Sequence, residues 1–546
     1  MPGGVVADIG AASNAMVSKP ATVRQSLPAV MVAAASAFGG VLYGYDTGTI
    51  SGLLVMENFR ETFGQYWDVN IPSNTNTANP TPGWDLSTGN QSLVVSILSA
   101  GTFCGALSGA PLSDMLGRRW GLQVGLLIFN IGVIMQMATT DFGVFTGGRV
   151  VAGLGVGILS TIVPMYQSET APRWIRGAVV SGYQWAITIG LLCASLAANG
   201  TKNRTDTSSW RIPVGIQFAF ALVLMIFFLI LPESPRWLVK KGNHEAAAKS
   251  LARLNSTDSD DPVVRSELSV IQTNLDIELS IGKGSYLDCF KWNDRKYFLR
   301  TFTGVFLQAF QQLTGINFIF YFGTTFSSNA MPNSNPFIFS VIYNVINVIT
   351  TIPGMYMMER VGRRNLLIFG ALWMFVCELV VAVVGTATDS SNASAGKSLI
   401  AFVCIYIAGF ASTWGPAAWV VCGEIFPLAI RAKALSLCVA SNWLWNFGIG
   451  YATPYLVQSG PGRAGLGTKV FFIWTATCFS CAVFAYFFVY ETAGLSLEEV
   501  DELYTQTVPR KSRAANKEMH ARRTDLEGAV SPVKDDEMAT HDEKKY

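Results

Sequence analysis

Apolar residues along the chain come in runs of roughly twenty, each closed by a short polar or glycine-rich segment. The runs lie near 28–54, 91–112, 121–139, 144–168, 179–198, 212–231, 301–326, 337–358, 366–387, 399–423, 434–457 and 470–490. At about 1.5 Å per residue, a run of this length covers the roughly 30 Å of hydrocarbon in a bilayer. Helices are the expected form, because an open strand leaves backbone groups unpaired in lipid. The pattern therefore predicts an all-α polytopic membrane protein with twelve transmembrane helices. Polar stretches divide it into an N-terminal tail (1–27), six spans (28–231), a linker (232–300), six more spans (301–490) and a C-terminal tail (491–546). Within the linker, HEAAAKSLARL (244–254) reads as a short amphipathic helix followed by the acidic stretch STDSDDP. The C-terminal tail reads as a helix start followed by a disordered, charged segment.

Composition agrees with the pattern: 50% of the 546 residues are hydrophobic and only 14% are charged, against about a quarter in soluble proteins. Residues 1–27 show no apolar core before a cleavage site, so the first span is expected to act as an uncleaved anchor with both chain ends in the cytosol. Basic residues then concentrate inside, at Arg118, Arg119, Arg363 and Arg364 and at both ends of the linker. Nine cysteines fall almost entirely within the apolar runs and suggest packing rather than disulfides. Glycosylation sequons at Asn90, Asn199, Asn203 and Asn392 lie on loops placed outside, whereas Asn255 lies on a segment placed inside. No phosphate-cradling loop, metal cluster or nucleophile triad is present, so neither a cofactor nor a nucleic-acid partner is expected and an enzyme is disfavoured. GLGVG (153–157) fits close helix packing better than nucleotide binding.

Three markers repeat in the same order. LSDMLGRRWG (112–121) returns as MERVGRRNLL (358–367), SETAPRWIRG (168–177) as GEIFPLAIRA (423–432), and LPESPRWL (231–238) as VYETAGLSL (489–497). A duplicated six-helix unit follows, with the markers on one face. Such halves suit a transporter whose bundles rock about a site near the bilayer midplane. The marker residues Asp114, Arg118, Glu169, Arg176, Glu233, Glu359, Arg363, Glu424, Arg431 and Glu491 are then candidates for a reversible cytosolic latch. For the arginines, positive-inside anchoring is the plainer reading.

These motifs, with QQLTGIN (311–317) and PMYQSETAPRWIRG (164–177), resemble the sugar porter family of the major facilitator superfamily, and within it the fungal hexose transporters. YETAG stands where that family usually has PETKG, with Glu491, Thr492 and Gly494 kept. The resemblance implies the major facilitator fold with two six-helix halves, a plasma-membrane location and a monosaccharide substrate. It also implies sugar contacts at Gln184, Gln311, Gln312, Asn317, Asn347, Trp419 and Asn442, with Gly415 and Asn446 as further contacts, and an outer gate at Tyr321 and Phe322.

The residues themselves point the same way. Gln308, Gln311 and Gln312 share a helical face, as do Asn344 with Asn347 and Asn442 with Asn446. Amides donate and accept without charge, which suits a ligand whose hydroxyls do likewise. Trp414, Trp419, Trp443 and Trp445 offer flat faces for a pyranose ring. The alternative is that amides hold helices together and tryptophans anchor at interfaces.

One charge stands out: Asp46, inside the first apolar run, at a depth within roughly 4–5 Å of Arg149 in the fourth. A carboxylate that pairs with Arg149 in one arrangement and separates in another would take up and release a proton. Glucose or hexose uptake by proton symport is the expected activity. A facilitative uniporter with a structural Asp46–Arg149 pair, or a non-transporting sugar sensor, stays open. About fifty residues of C-terminal tail weigh against a sensor.

Overall fold

The computed structural model describes residues 23–67, 83–171, 176–281, 285–331, 334–388, 393–427, 430–495 and 497–529. Its first half comprises α1 (Val23–Leu53), a short α2 (Glu57–Phe63), strands β1 (Gln65–Trp67) and β2 (Gly83–Asp85), then α3 (Thr88–Leu116), α4 (Arg118–Ala138), α5 (Phe142–Thr170), α6 (Arg176–Thr201) and α7 (Ser208–Ile230). The linker carries α8 (Pro235–Lys240), α9 (His244–Asn255), α10 (Pro262–Ile281) and a 3-10 turn. The second half comprises α11 (Tyr297–Leu313), α12 (Ile316–Ala330), α13 (Pro336–Val361), α14 (Arg363–Ala387), α15 (Ala393–Ser412), α16 (Trp414–Glu424), α17 (Arg431–Val457) and α18 (Val470–Phe488). Two helices close the chain, α19 (Leu497–Gln506) and α20 (Ser512–Ala529). β1 and β2 form an antiparallel hairpin with Tyr66 opposite Trp84, marking one side of the bundle. The linker marks the other.

Twelve spans result, with α11–α12 and α15–α16 each one span broken in the middle. Among the described residues, ten segments are long and apolar enough to cross a membrane by themselves. The two that fall short are the α11–α12 pair and α17, and these hold most of the glutamines and asparagines singled out above. Their polarity faces inward. Outward-facing positions such as Leu127, Ile131 and Ile134 on α4, or Leu222, Ile226 and Leu229 on α7, are exposed and apolar at helical spacing, as lipid contact requires.

The helices approach closely where glycines permit it. A Cβ at Gly153 or Gly157 would stand 2.3 Å from Leu98 O or 2.2 Å from Thr102 O on α3, and one at Gly155 would stand 2.6 Å from Gly125 O on α4. GLGVG therefore seats α5 between two neighbours, as small-residue packing in membranes does.

The halves meet along α3 against α17 and α6 against α13. On the hairpin side Ser51 Oγ lies 2.9 Å from Thr324 Oγ1, Thr88 Oγ1 donates to Gln458 Oε1 (2.6 Å), and Gln458 Nε2 donates to Gln91 Oε1 (2.8 Å). On the linker side Ser436 Oγ donates to Ala106 O (2.9 Å) and Tyr286 Oη to Leu107 O (3.0 Å). All are neutral.

The expected disorder after the first C-terminal helix does not hold for residues 512–529. α20 is helical because its polar residues grip the preceding loop: Ser512 Oγ accepts from Glu491 N (3.0 Å), and Asn516 Nδ2 donates to Glu491 O and Ala493 O. The final residues, from 530 onward, lie outside the described region, as does most of the N-terminal tail.

Candidate functional site

The break between α11 and α12 organises the interior. Gly315 adopts φ +86°, a conformation in which a side chain is strained, and it turns the chain so that Gln311 and Gln312 before it and Asn317 after it meet. Asn317 Nδ2 donates to Gln312 Oε1. From α17, Asn442 Nδ2 reaches Gln308 Oε1 (2.7 Å) and Gln311 Oε1 (2.8 Å), and Asn446 Nδ2 reaches Gln312 Oε1 (3.2 Å). Gln311 Nε2 in turn donates to Trp414 O and Gly415 O (3.2 and 2.8 Å), at the second broken span. Three broken or polar spans of the second half thus share one amide network.

The first half touches this network at two points. Ser99 Oγ donates to Asn446 Oδ1 (2.6 Å), an oxygen that also accepts from Tyr321 Oη (2.7 Å). Gln184 on α6 faces Gly415, where an added Cβ would lie 3.5 Å from Gln184 Nε2. Trp419 is buried, with its indole edge-on to Tyr183. Asn347 is fully buried, yet neither its Nδ2 nor its Oδ1 has a hydrogen-bond partner, and Asn442 Oδ1 has none either. Unpaired buried amides cost free energy unless something else satisfies them.

Not every residue named from the sequence joins the cluster. Asn344 donates to Ser340 O on its own helix (2.9 Å). Trp414 is held by Leu367 O (2.8 Å), Trp443 by Ser160 Oγ (3.3 Å), and Trp445 is exposed on the outer surface of the bundle. Phe322 is buried beside Tyr321 on α12.

Asp46 and Arg149 face each other, both essentially inaccessible, with Arg149 Nη1 3.9 Å from Asp46 Oδ1. The contact is long for a charge-assisted bond. Gln217 on α7, which sequence reasoning missed, donates to the same Asp46 oxygen (3.2 Å). Asp46 Oδ2, Arg149 Nε and Arg149 Nη2 have no hydrogen-bond partner.

On the linker side each half carries the same capped arginine. Arg118 clamps Glu169 through Nε (2.9 Å) and Nη2 (2.7 Å), while Asp114 lies 3.4 Å away and is shared with Lys240. Arg363 clamps Glu359 (2.8 and 2.9 Å) and reaches Glu424 (3.0 Å). Glu233 accepts from the backbone N of Arg118 and Arg119, and Glu491 from that of Arg363 and Arg364. These acidic residues cap the first turns of α4 and α14. Burial pushes both carboxyls above the ordinary glutamate value despite those bonds. The hydroxyl after each capping glutamate completes the pattern: Ser234 donates to Glu169 and Thr492 to Glu424. Arg431 bonds Phe426 O, and the Arg176 side chain lies outside the described residues. Among the described residues no ion pair joins one six-helix half to the other; Asp501 of α19 pairs with Arg300 and Arg295 at the linker end of the second half.

Of the sequons, Asn203 is exposed, Asn199 accepts from Lys202, and Asn90 sits in the first turn of α3 with Ser92 fully buried. Asn392 lies outside the described residues.

Two pseudo-equivalent six-helix halves around an interior cluster of uncharged amides define a membrane-spanning transporter. The sequence family described as "Sugar (and other) transporter" matches residues 32–504. The chain is 47% identical to the major facilitator-type transporter ecdD of Aspergillus rugulosus, covering 92% of this chain and 94% of that one. It is 46% identical to the probable glucose transporter rco-3 of Neurospora crassa, covering 89% and 81%. It is also 41% identical to the high glucose sensor RGT2 of Saccharomyces cerevisiae, covering 90% of this chain and 62% of RGT2. Among solved structures it resembles the proton:xylose symporter XylE bound to 6-bromo-6-deoxy-D-glucose, with TM-score 0.71, 26% identity, and 88% and 100% of the two chains covered. This chain belongs to the sugar transporter family and has the major facilitator fold.

Proposed function

We propose that the protein is a plasma-membrane carrier of a monosaccharide, glucose or a related hexose, taken up with high affinity by proton symport, with both chain ends in the cytosol. The observation that carries the substrate class is the amide network of Gln311, Gln312, Asn317, Asn442 and Asn446, in which Asn442 Oδ1 is buried and unpaired. A hydroxylated, uncharged ligand satisfies such groups, and an analogue lacking a hydroxyl leaves them unpaired. Similarity to the glucose transporter of Neurospora supports a hexose.

Proton coupling rests on the loose Asp46–Arg149 contact. An ionised Asp46 held by Arg149 and Gln217 gains a proton when the pair separates. The freed first-half helices then move with the sugar, and both ligands leave together on the linker side. Asp114, Glu169, Glu359 and Glu424, with their arginines, keep each half rigid during that motion, and Tyr321 with Phe322 closes the outer path. A second reading, a sugar sensor, is favoured by the likeness to RGT2.

The test is labelled glucose uptake with extracellular pH recorded, in cells lacking their own hexose carriers, for the wild type and Asp46→Asn. Sugar-dependent alkalinisation that vanishes in the variant supports symport. Uptake without proton movement identifies a facilitator, and surface expression without uptake of any sugar identifies a sensor.

A further inference from the structure

Glu378 is a carboxylate that neither the sugar site nor the Asp46–Arg149 pair uses. It lies midway along α14, 1% exposed, and among the described residues the only donors against its oxygens, the Tyr406 hydroxyl and the Cys478 thiol, are directed to Thr314 O instead. No lysine or arginine forms an ion pair with it among the described residues. The titratable groups around it are Cys377 on its own helix, Tyr406 on α15, and Cys478 and Cys481 on α18. All are neutral acids. An ionised carboxylate in such a place lacks the counter-charge and hydrogen bonds that burial demands.

Its location gives the group a use. A Cβ on Gly315 would stand 3.0 Å from Glu378 Oε1 and 2.7 Å from Trp474 Cγ, so the acid lies directly behind the break between α11 and α12. The same break is tied from the same two helices: Tyr406 Oη donates to Thr314 O (2.6 Å), Cys478 Sγ to Thr314 O (3.7 Å) and Thr477 Oγ1 to Leu313 O (2.6 Å). Trp474 Nε1 is buried without a partner beside it. On the other side of the break are Gln311, Gln312 and Asn317.

We propose that Glu378 is a second proton-binding site, in the second half of the protein, occupied by a proton while the α11–α12 break holds the sugar-binding amides together. Movement of α12 opens the site to water, the proton passes from the carboxyl to that water, and the carboxylate formed disfavours re-closure until it is protonated again. Sugar binding is thereby linked to protonation at a place independent of Asp46. The inference rests on the transporter reading only for its sugar-binding consequence.

The test uses the full chain in lipid. Infrared spectra of the wild type are expected to show a protonated carboxylic-acid carbonyl band that persists in Asp46→Asn and is lost in Glu378→Gln. With Asp46→Asn as the background, which removes the Asp46 proton, labelled-glucose binding is expected to weaken roughly tenfold or more at alkaline pH and to stay flat once Glu378→Gln, which mimics the neutral acid, is added. A band unaltered by the substitution overturns the proposal, as does an unchanged pH profile. Loss of folding in Glu378→Gln also overturns it, because the variant keeps the size and polarity of the neutral acid. Wild-type protein that binds no sugar at any pH defeats the transporter reading, while the infrared band still decides the protonation of Glu378.

Discussion

Asn446 is the residue through which the two halves share the interior amides: its Oδ1 accepts from Ser99 of the first half and Tyr321 of the second, and its Nδ2 serves Gln312. Asn446→Ala leaves the buried Ser99 and Tyr321 hydroxyls without their shared acceptor, while Gln312 Oε1 keeps Asn317 Nδ2. Losing the worth of one such group, about 1–3 kcal/mol, weakens sugar binding roughly 5- to 150-fold, read as a rise in the KM of uptake with surface expression unchanged. At this scale the sequence told much about residue types and less about their contacts. Asp46 and Arg149 were legible because a charge inside an apolar run has few explanations. Gln217 was not, since its reach to Asp46 depends on how α7 packs on α1. Glu378 carried a readable signal as an acid within the run 366–387, but no marker repeat or helical-face pattern drew attention to it. The tryptophans misled for a simple reason: Trp414 and Trp445 look alike in sequence, yet one is pinned to Leu367 O and the other faces outward.

The capped arginines belong to the level of the helix. Gly117 and Gly362 hold φ +94° and +91°, which only glycine adopts without strain. A Cβ there would meet Glu233 or Glu491 at 2.4 or 2.3 Å. The turn and its acidic cap are therefore one device, used twice. Because burial raises the Glu491 carboxyl in the folded state, its contribution to stability is complete below the unfolded value of about 4.3 and is lost as pH rises through the folded value. Thermal unfolding of the purified protein across that window is expected to show a fall with rising pH that is shallower in Glu491→Gln; an identical slope would remove Glu491 as its source. Helix positions were legible from runs of apolar residues, and the break between α11 and α12 was signalled by LTGIN, whereas the break between α15 and α16 lies inside the apolar run 399–423 and was not. The docking of α20 was not legible, because it depends on Ser512 and Asn516 meeting a loop more than twenty residues earlier in the chain.

For the whole molecule, the seam between the halves sets what can move. Ser51 and Thr324 meet across it on the hairpin side. A Ser51→Cys, Thr324→Cys double variant is expected to lose most uptake on mild oxidation and regain it with reductant, while either single variant is indifferent. Retained uptake in the oxidised, cross-linked protein would mean that this side need not open.

The repeated cap has one more consequence. Each half holds its arginines with its own glutamates, and the described contacts across the seam are packing, neutral hydrogen bonds and one cation–π contact, Lys202 over the Phe337 ring. Among the described residues the two bundles recognise each other by shape and polar contacts, with no ion pair between them. A gene fusion that exchanges one bundle for its counterpart from a related carrier therefore has only a surface to match, which makes each half an interchangeable part from which new substrate preferences can be assembled.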